Sequence, residues 1–337
     1  EAWLEEARRH EWWNRHILGA LASYWVYQHL GNLAPGDHRE DELLRRVKAA
    51  DDAESVLEEF ARRADQGGPK HPARPGAQGG NSGTRWSYCR NLGRTRLVVI
   101  DSRAGRVLDE GSRSMLDDRE WDWVAEQFSG DFDHLLVATS LPWLLGPGMH
   151  YAEAWSEAVA GGAWGPAFAP LAEKARQTAD LEHWAAFQES FARLAELIRS
   201  VAAGERGPAP ASVVVLSGDV HHAYLYEVAF RRGSGVRSNV YQAVCSPYRN
   251  PLASKERRAI RIGMSPGFRM FTRALARSAG VDDPDVRWRM VGDGPWFDNQ
   301  VATLEIDGRQ IVMRLEKAVP VDTTSARLDC VLDHRLA

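Results

Sequence analysis

Three short apolar runs, Leu97–Ile100, Leu135–Ala138 and Val213–Leu216, each end abruptly in polar residues. Runs of this length bounded by turn signals read as strands buried on both faces. The first lies inside "RWSYCRNLGRTRLVVIDSR" and stops at Asp101 and Arg103. The second, "HLLVATSLP", stops at Ser140 and Pro142, and the third, "ASVVVLSGDVHH", at Asp219, His221 and His222. Between them the spacing turns helical. "MLDDREWDWVAEQF" predicts a helix begun by Asp117 or Asp118, and a helical region runs from Tyr151 to Ala203, broken near "GGAWGP". Strands alternating with helices predict an α/β fold, a layered core with neighbouring or parallel strands.

The two ends read differently. Residues 1–33 predict one or two helices crowded with aromatics (Trp3, Trp12, Trp13, Tyr24, Trp25, Tyr27), ended by Asn32 and "APG". An amphipathic stretch follows from Glu40 to Ala64, with Leu43, Leu44, Val47, Val56, Leu57 and Phe60 on its apolar side. Residues 66–84 are rich in Gly and Pro and nearly devoid of apolar side chains, which predicts an exposed, flexible loop inserted within one domain. Beyond His222 the pattern predicts strands without long helices between them: "YLYEVAF", "SNVYQAVCSP" and "QVATLEIDGRQIVMRLEKA". The last holds "DG", a two-residue hairpin signal. The whole reads as one domain over 1–337, with a β-rich carboxyl-terminal segment and a hairpin region at 285–320.

Composition narrows the choice. With 337 residues, 44% of them hydrophobic, the chain can bury a large core, and thirteen Trp make that core aromatic-rich. A formal net charge of −4 gives no general basic surface for nucleic acid. No apolar run reaches the length of a membrane span. Three cysteines, far apart, predict neither a zinc knuckle nor a disulfide framework. Helical spacing is already under way at Glu1, with no initiator Met or capping residue ahead of it, so the amino terminus reads as cut. Secreted and cytoplasmic locations therefore both stay open.

In layered α/β proteins, ligands gather outside the carboxyl ends of the strands. Asp101, Arg103, Ser140, Asp219, His221 and His222 would then converge on one edge. The competing reading has Asp101 and Asp219 capping the next element, with Arg103 paired to one of them. A turn has a use for Gly218 and tolerates Asp219, but it has no local use for two adjacent histidines, which favours a site. Carboxylate suits a hard or borderline cation, and neutral imidazole suits zinc, iron or manganese. Arg103 or Arg106 could grip a phosphate oxygen through the planar guanidinium fork. Metal, Arg and imidazole together point to phosphoester hydrolysis. The chain lacks G-x-S-x-G, a P-loop, H-E-x-x-H and a dinucleotide glycine fingerprint. Tyr27, Gln28, His29 and Asn32 form a second polar group that could line a pocket, although a packed aromatic helix explains it better.

Five runs carry a resemblance: "SYWVYQHLGNL" (23–33), "RLVVIDSRAGRVL" (96–108), "LLVATSLPWLL" (135–145), "LSGDVHHAYLYEV" (216–228) and "DGPWFDNQVATLEIDGR" (293–309). Together they resemble the PhoD-like (alkaline phosphatase D-like) branch of the metallophosphatase superfamily, in order and over nearly the whole chain. The resemblance implies a layered metallophosphatase-like sandwich, here partial, and a metal-dependent phosphatase or phosphodiesterase. It implies iron and calcium as metal ions and a phosphate ester as substrate. It makes Asp219 a metal ligand and sets His221 and His222 in the same motif as ligands or proton donors, with Arg103 lining the site. Joined to the residue chemistry above, the expectation is Asp219 and His221 on the metal, His222 and Arg103 in catalysis, and Arg103 or Arg106 on the substrate. Asp101 becomes a residue lining the site. Such relatives carry earlier ligands, a "GD"-type strand end and an acidic "DDHD…DDWN" run, before a Trp-rich helix; here that helix is residues 3–13. The expectation is therefore a carboxyl-terminal part of the domain, impaired in hydrolysis, with one sheet face or edge uncovered. The alternatives are a non-catalytic remnant that folds or binds without hydrolysis, and a metal-dependent hydrolase of a non-phosphate ester.

Overall fold

In the computed structural model, the apolar runs become the centre of a seven-stranded sheet. The structure describes residues 10–66, 84–107, 113–178, 181–249, 252–322 and 325–337. Nearly all of the loop expected at 66–84, and the first nine residues, lie outside that set. The chain divides into two compact units, Glu1–Arg90 with Asp101–Asp122, and Asn91–Ile100 with Trp123–Ala337.

In chain order the large sheet contains β1 (Tyr88–Leu92), β2 (Thr95–Ile100), β3 (His134–Thr139), β4 (Ser212–Ser217), β5 (Tyr224–Phe230), β6 (Asn239–Val244) and β7 (Val286–Met290). They are arranged β1-β2-β3-β4-β6-β5-β7. β2, β3, β4 and β6 run parallel, and β5 runs antiparallel to both β6 and β7. A separate antiparallel sheet holds β8 (Gln300–Asp307), β9 (Gln310–Pro320) and β10 (Ala326–Arg335).

Strand periodicity explains the layering, because successive side chains leave opposite faces. Leu136, Val214, Leu225 and Tyr241 bury against Ile311, Met313, Leu315 and Leu332 of the smaller sheet. The intervening residues, Leu135, Val137, Val213 and Val215, are also buried. On their side Trp184 donates its indole N–H to Thr139, and the helix Gln188–Ala203 packs on β4. The order is helix, sheet, sheet. Each buried aliphatic contributes about 1.5–3 kcal/mol, so β4 alone anchors both interfaces. The open face expected from the sequence is not found at β3 and β4, where both faces are covered.

The structure corrects the sequence reading in three places. The expected strand over 85–103 is a hairpin, β1–β2, turning at Gly93 with φ 60. The tail contains two helices, Ser254–Gly263 and Pro266–Ser278, between β6 and β7. Their apolar positions are too sparse among arginines to read as a buried element. The second buries Thr272 and Ala276 and packs on the helix Pro147–Ala160. Gly148 permits that approach, since a Cβ there would collide with the Gly263 carbonyl and the Phe268 ring. Lastly, the 285–320 region divides between sheets: β7 joins the large one, and only β8–β9 forms the hairpin. Its two-residue loop is Gly308–Arg309, with Gly308 at φ 55 in the first central position. The expected helix start is met by Asp117, whose carboxylate accepts from the Glu120 N–H at 2.8 Å.

The smaller unit has its own core of Trp25, Leu44, Phe60 and Trp86. His29 packs edge-on against Trp86 (5.3 Å between centroids), while Tyr27 is 86% exposed and Gln28 also faces solvent. The Asn32 carbonyl accepts from the Arg90 guanidinium. Only His29 of this group packs among the aromatic rings, while Tyr27 and Gln28 lie on the exposed side of the helix. No helix among the described residues is long and apolar enough to cross a membrane.

One buried polar side chain tests the layering. Gln242 of β6 accepts from the Leu144 N–H at 2.9 Å and donates to the Ser217 hydroxyl at 2.7 Å. Gln242→Leu keeps the apolar volume but strands a buried N–H, so urea unfolding should show a loss of about 1–3 kcal/mol. An unchanged midpoint would contradict the role given to this bond.

Candidate functional site

Parallel register places the strand ends at one edge: Ile100 is level with Thr139, Ala138 with Leu216, and Ser217 with Val244. β4 leaves the sheet there into Gly218–His222. The Gly218 N–H donates to the Ser140 carbonyl (3.3 Å), and the His221 N–H to the Ser246 hydroxyl (3.2 Å). The chain re-enters through a bridge between Ala223 and Trp296.

Asp219 and His221 hold φ of 66° and 54°, and among the described residues they are the only non-glycines with positive φ. That conformation costs an L-residue about 1–2 kcal/mol. The turn thereby presents the exposed Asp219 outward while His222 turns in and is buried. Asp219 leads into a strand, so the helix-capping alternative does not hold for it.

The His222 Nδ1–H donates to the Val220 carbonyl at 2.6 Å, which leaves Nε2 as the basic nitrogen. Its ring lies against Tyr224 and Phe297, with centroids 5.2 and 5.7 Å away. Burial lowers its pKa to about 4; the Val220 bond opposes this, and the nearby imidazoles of His183 and His221 add to it. The imidazole is neutral at neutral pH.

Three further groups surround this turn, and none was foreseen. His183 hydrogen-bonds the carboxylate of the buried Glu153 at 2.7 Å, and Glu153 Oε2 has no partner among the described residues. Arg257 and Arg261 place their guanidinium carbons 5.9 and 5.0 Å from the centroid of Phe297, the ring that also carries His222. Nothing in the spacing of "LEHWAAF" or "SKERRAIR" relates them to residues 218–222, because tertiary packing alone makes them neighbours.

Asp101, Arg103 and Arg106 belong to the smaller unit. There Asp101 closes its own turn, accepting from the N–H groups of Arg103 and Ala104, both at 2.9 Å. Burial raises its pKa, against those hydrogen bonds and the Arg106 charge. Capping is thus the role its contacts show. Arg106 donates through Nε to the Ser102 carbonyl at 2.7 Å, and Arg103 is exposed. Ser140, in the larger unit, is exposed at the edge.

No three His, Cys, Asp or Glu among the described residues come together in an arrangement that could hold a metal ion. Asp219 and His221 supply two donors, short of the three or four protein ligands a zinc-like site takes and of the six or more oxygens calcium takes. Iron and calcium therefore find no complete ligand set among these residues. A surface cleft lined by Glu157, Gln188, Arg199 and Asp283 lies elsewhere in the larger unit and includes none of the turn.

No known family model matches the chain, and no curated protein does. A solved structure titled "Structure of PhoD" is similar to it, with a TM-score of 0.44 and 11% identity, over 85% of this chain and 49% of that one. The chain thus spans about half the length of that protein.

Two predictions follow from the geometry. Asp219→Ala and Asp219→Gly lose the same carboxylate, but only Gly relieves the left-handed backbone. The Gly variant should be the more stable by about 1 kcal/mol in urea melts; equal midpoints would refute the strain. The second concerns pH. His150, fully buried on the helix Pro147–Ala160, is also lowered to about 4 by burial. Both folded values lie below the unfolded value of about 6.5, so their contribution is complete above that pH and fades as pH falls towards about 4. Each should add a slope approaching about 1.4 kcal/mol per pH unit, and His222→Asn should remove one of the two. A wild-type profile flat over that window would contradict the neutral burial.

Proposed function

We propose that the Gly218–His222 turn is part of a phosphoester-hydrolysing site. The observation that carries this reading is the pair of strained residues, Asp219 and His221, at the carboxyl edge of the parallel strands. Strain of this kind in non-glycine residues persists where the surrounding structure enforces it, and it clusters at functional sites. The sequence resemblance of "LSGDVHHAYLYEV" to a late metal-site motif of phosphoesterases supports the same residues.

Each group has a part in the proposal. Arg257 and Arg261 offer guanidinium forks to the oxygens of a phosphate, and are better candidates for that contact than Arg103 or Arg106. A base with a pKa of about 4 takes up a proton poorly at neutral pH, so His222 is not the main general base. Its neutral Nε2 instead accepts a hydrogen bond from the attacking water or the phosphate and orients it. Asp219 and His221 are the donors this chain would present to a metal ion.

The test is hydrolysis of bis-p-nitrophenyl phosphate, with and without added iron, calcium, manganese or zinc. Asp219→Asn should lower kcat about 100-fold or more while the circular dichroism spectrum is unchanged. Arg261→Ala should act mainly on KM. Near-normal turnover by Asp219→Asn at saturating metal would overturn the assignment. Binding of phosphate by the wild-type chain with no turnover under any metal would favour the non-catalytic reading.

A further inference from the structure

The helices Ser254–Gly263 and Pro266–Ser278 carry seven Lys or Arg against one Glu, a local charge of +6 in a chain whose formal net charge is −4. The second helix packs on Pro147–Ala160 through the side that holds Thr272 and Ala276, so its opposite side faces outward. There Met270 and Phe271 are 73% and 59% exposed, and Ile262 near the end of the first helix is 59% exposed. A helix that needs only to be solvated carries charge on its outer face, whereas this one carries large apolar groups at its centre.

The charges divide into three classes. Arg257 and Arg261 lie over the Phe297 ring beside the Gly218–His222 turn. Arg273 and Arg277 pair with Asp283 and fasten the end of the second helix. Lys255, Arg258 and Arg269 are exposed and have no carboxylate partner among the described residues. Unneutralised cations beside exposed Met, Phe and Ile fit a surface that is anionic outside and apolar just beneath. That is the headgroup and acyl boundary of a lipid bilayer. A nucleic acid would satisfy the cations but gives little place to two adjacent aliphatic and aromatic side chains on a helix face.

We propose that this helical pair docks the protein peripherally on an anionic lipid surface, with Met270 and Phe271 entering the interface and Lys255, Arg258 and Arg269 meeting lipid phosphates. The attachment lies on the membrane and does not span it, and it uses none of the residues assigned to the phosphate site.

Sedimentation with vesicles tests it, using equal parts phosphatidylglycerol and phosphatidylcholine against phosphatidylcholine alone. The chain should co-sediment with the anionic vesicles only, and less so as salt rises to about 0.5 M. A cation near such a surface is worth about five-fold in partitioning, so the double variant Arg258→Glu/Arg269→Glu should bind more than about 20-fold more weakly. Met270→Ser/Phe271→Ser, which changes no buried residue, should also weaken binding several-fold with helix content unchanged. Equal sedimentation with both vesicle types would overturn the proposal, as would anionic binding that neither double variant weakens. So would tighter binding to duplex DNA than to vesicles, unaffected by Met270→Ser/Phe271→Ser, since that would make the surface a general polyanion site.

Discussion

Burial of β4 between two unlike layers is the constraint from which the larger unit follows. Val213, Val214 and Val215 are fully buried, alternating between the smaller sheet and the helices. A strand dry on both faces cannot carry an unpaired polar group along its length. Its polar residues are therefore displaced to its ends, which is where they are found. Gln242 is the exception on the neighbouring strand, and it is tolerated because both ends of its amide are bonded.

The two ends of the sheet use polar groups differently. At the amino edge His134 donates from Nε2 to the Gly308 carbonyl and accepts at Nδ1 from the Ser212 hydroxyl. Asp133 there accepts from both Arg94 and Arg309 at 2.8 Å, which lowers its pKa. These contacts fasten the β8–β9 turn to the large sheet, and the groups satisfy one another. At the carboxyl edge Asp219 and His221 are strained, His222 is desolvated, and Glu153 keeps an unpartnered oxygen. The first arrangement stabilises. The second retains unfavourable terms that a purely structural turn would shed by placing Gly at 219 and 221.

The same contrast appears on the surface. Several arginines that serve the fold are tied to carboxylates, as Arg199 is to Glu196 and Glu205, or Arg273 to Asp283, and others to backbone carbonyls, as Arg96 is to those of Gln127 and Ser129. Exposed ion pairs of this sort are worth little individually, so their value lies in fixing local geometry. On the helices between β6 and β7, by contrast, cations without carboxylates flank exposed apolar side chains, and this leaves the surface suited to a partner.

The sequence by itself determined the elements whose burial is uniform. The apolar runs at 135–138 and 213–216 are buried almost throughout, as the centre of a covered sheet requires, whereas at 97–100 Val98 and Ile100 are buried and Leu97 and Val99 only half-buried. It also singled out Asp219, His221 and His222 as candidates, because two adjacent histidines have no use in a simple turn. At Asp101 sequence leaves two readings open, because a carboxylate that closes its own turn, as this one does, looks the same in sequence as one that lines a site. The helices 254–278 escaped because their buried positions are sparse among arginines. Only the tertiary structure decided that Arg257 and Arg261 reach Phe297, and that His183 with Glu153 stands near His222. Those residues lie on separate elements, and their proximity comes from how helices pack on a sheet, which no local spacing encodes. The left-handed backbone at 219 and 221 belongs to the same class, since Asp and His tolerate it better than most residues but do not require it.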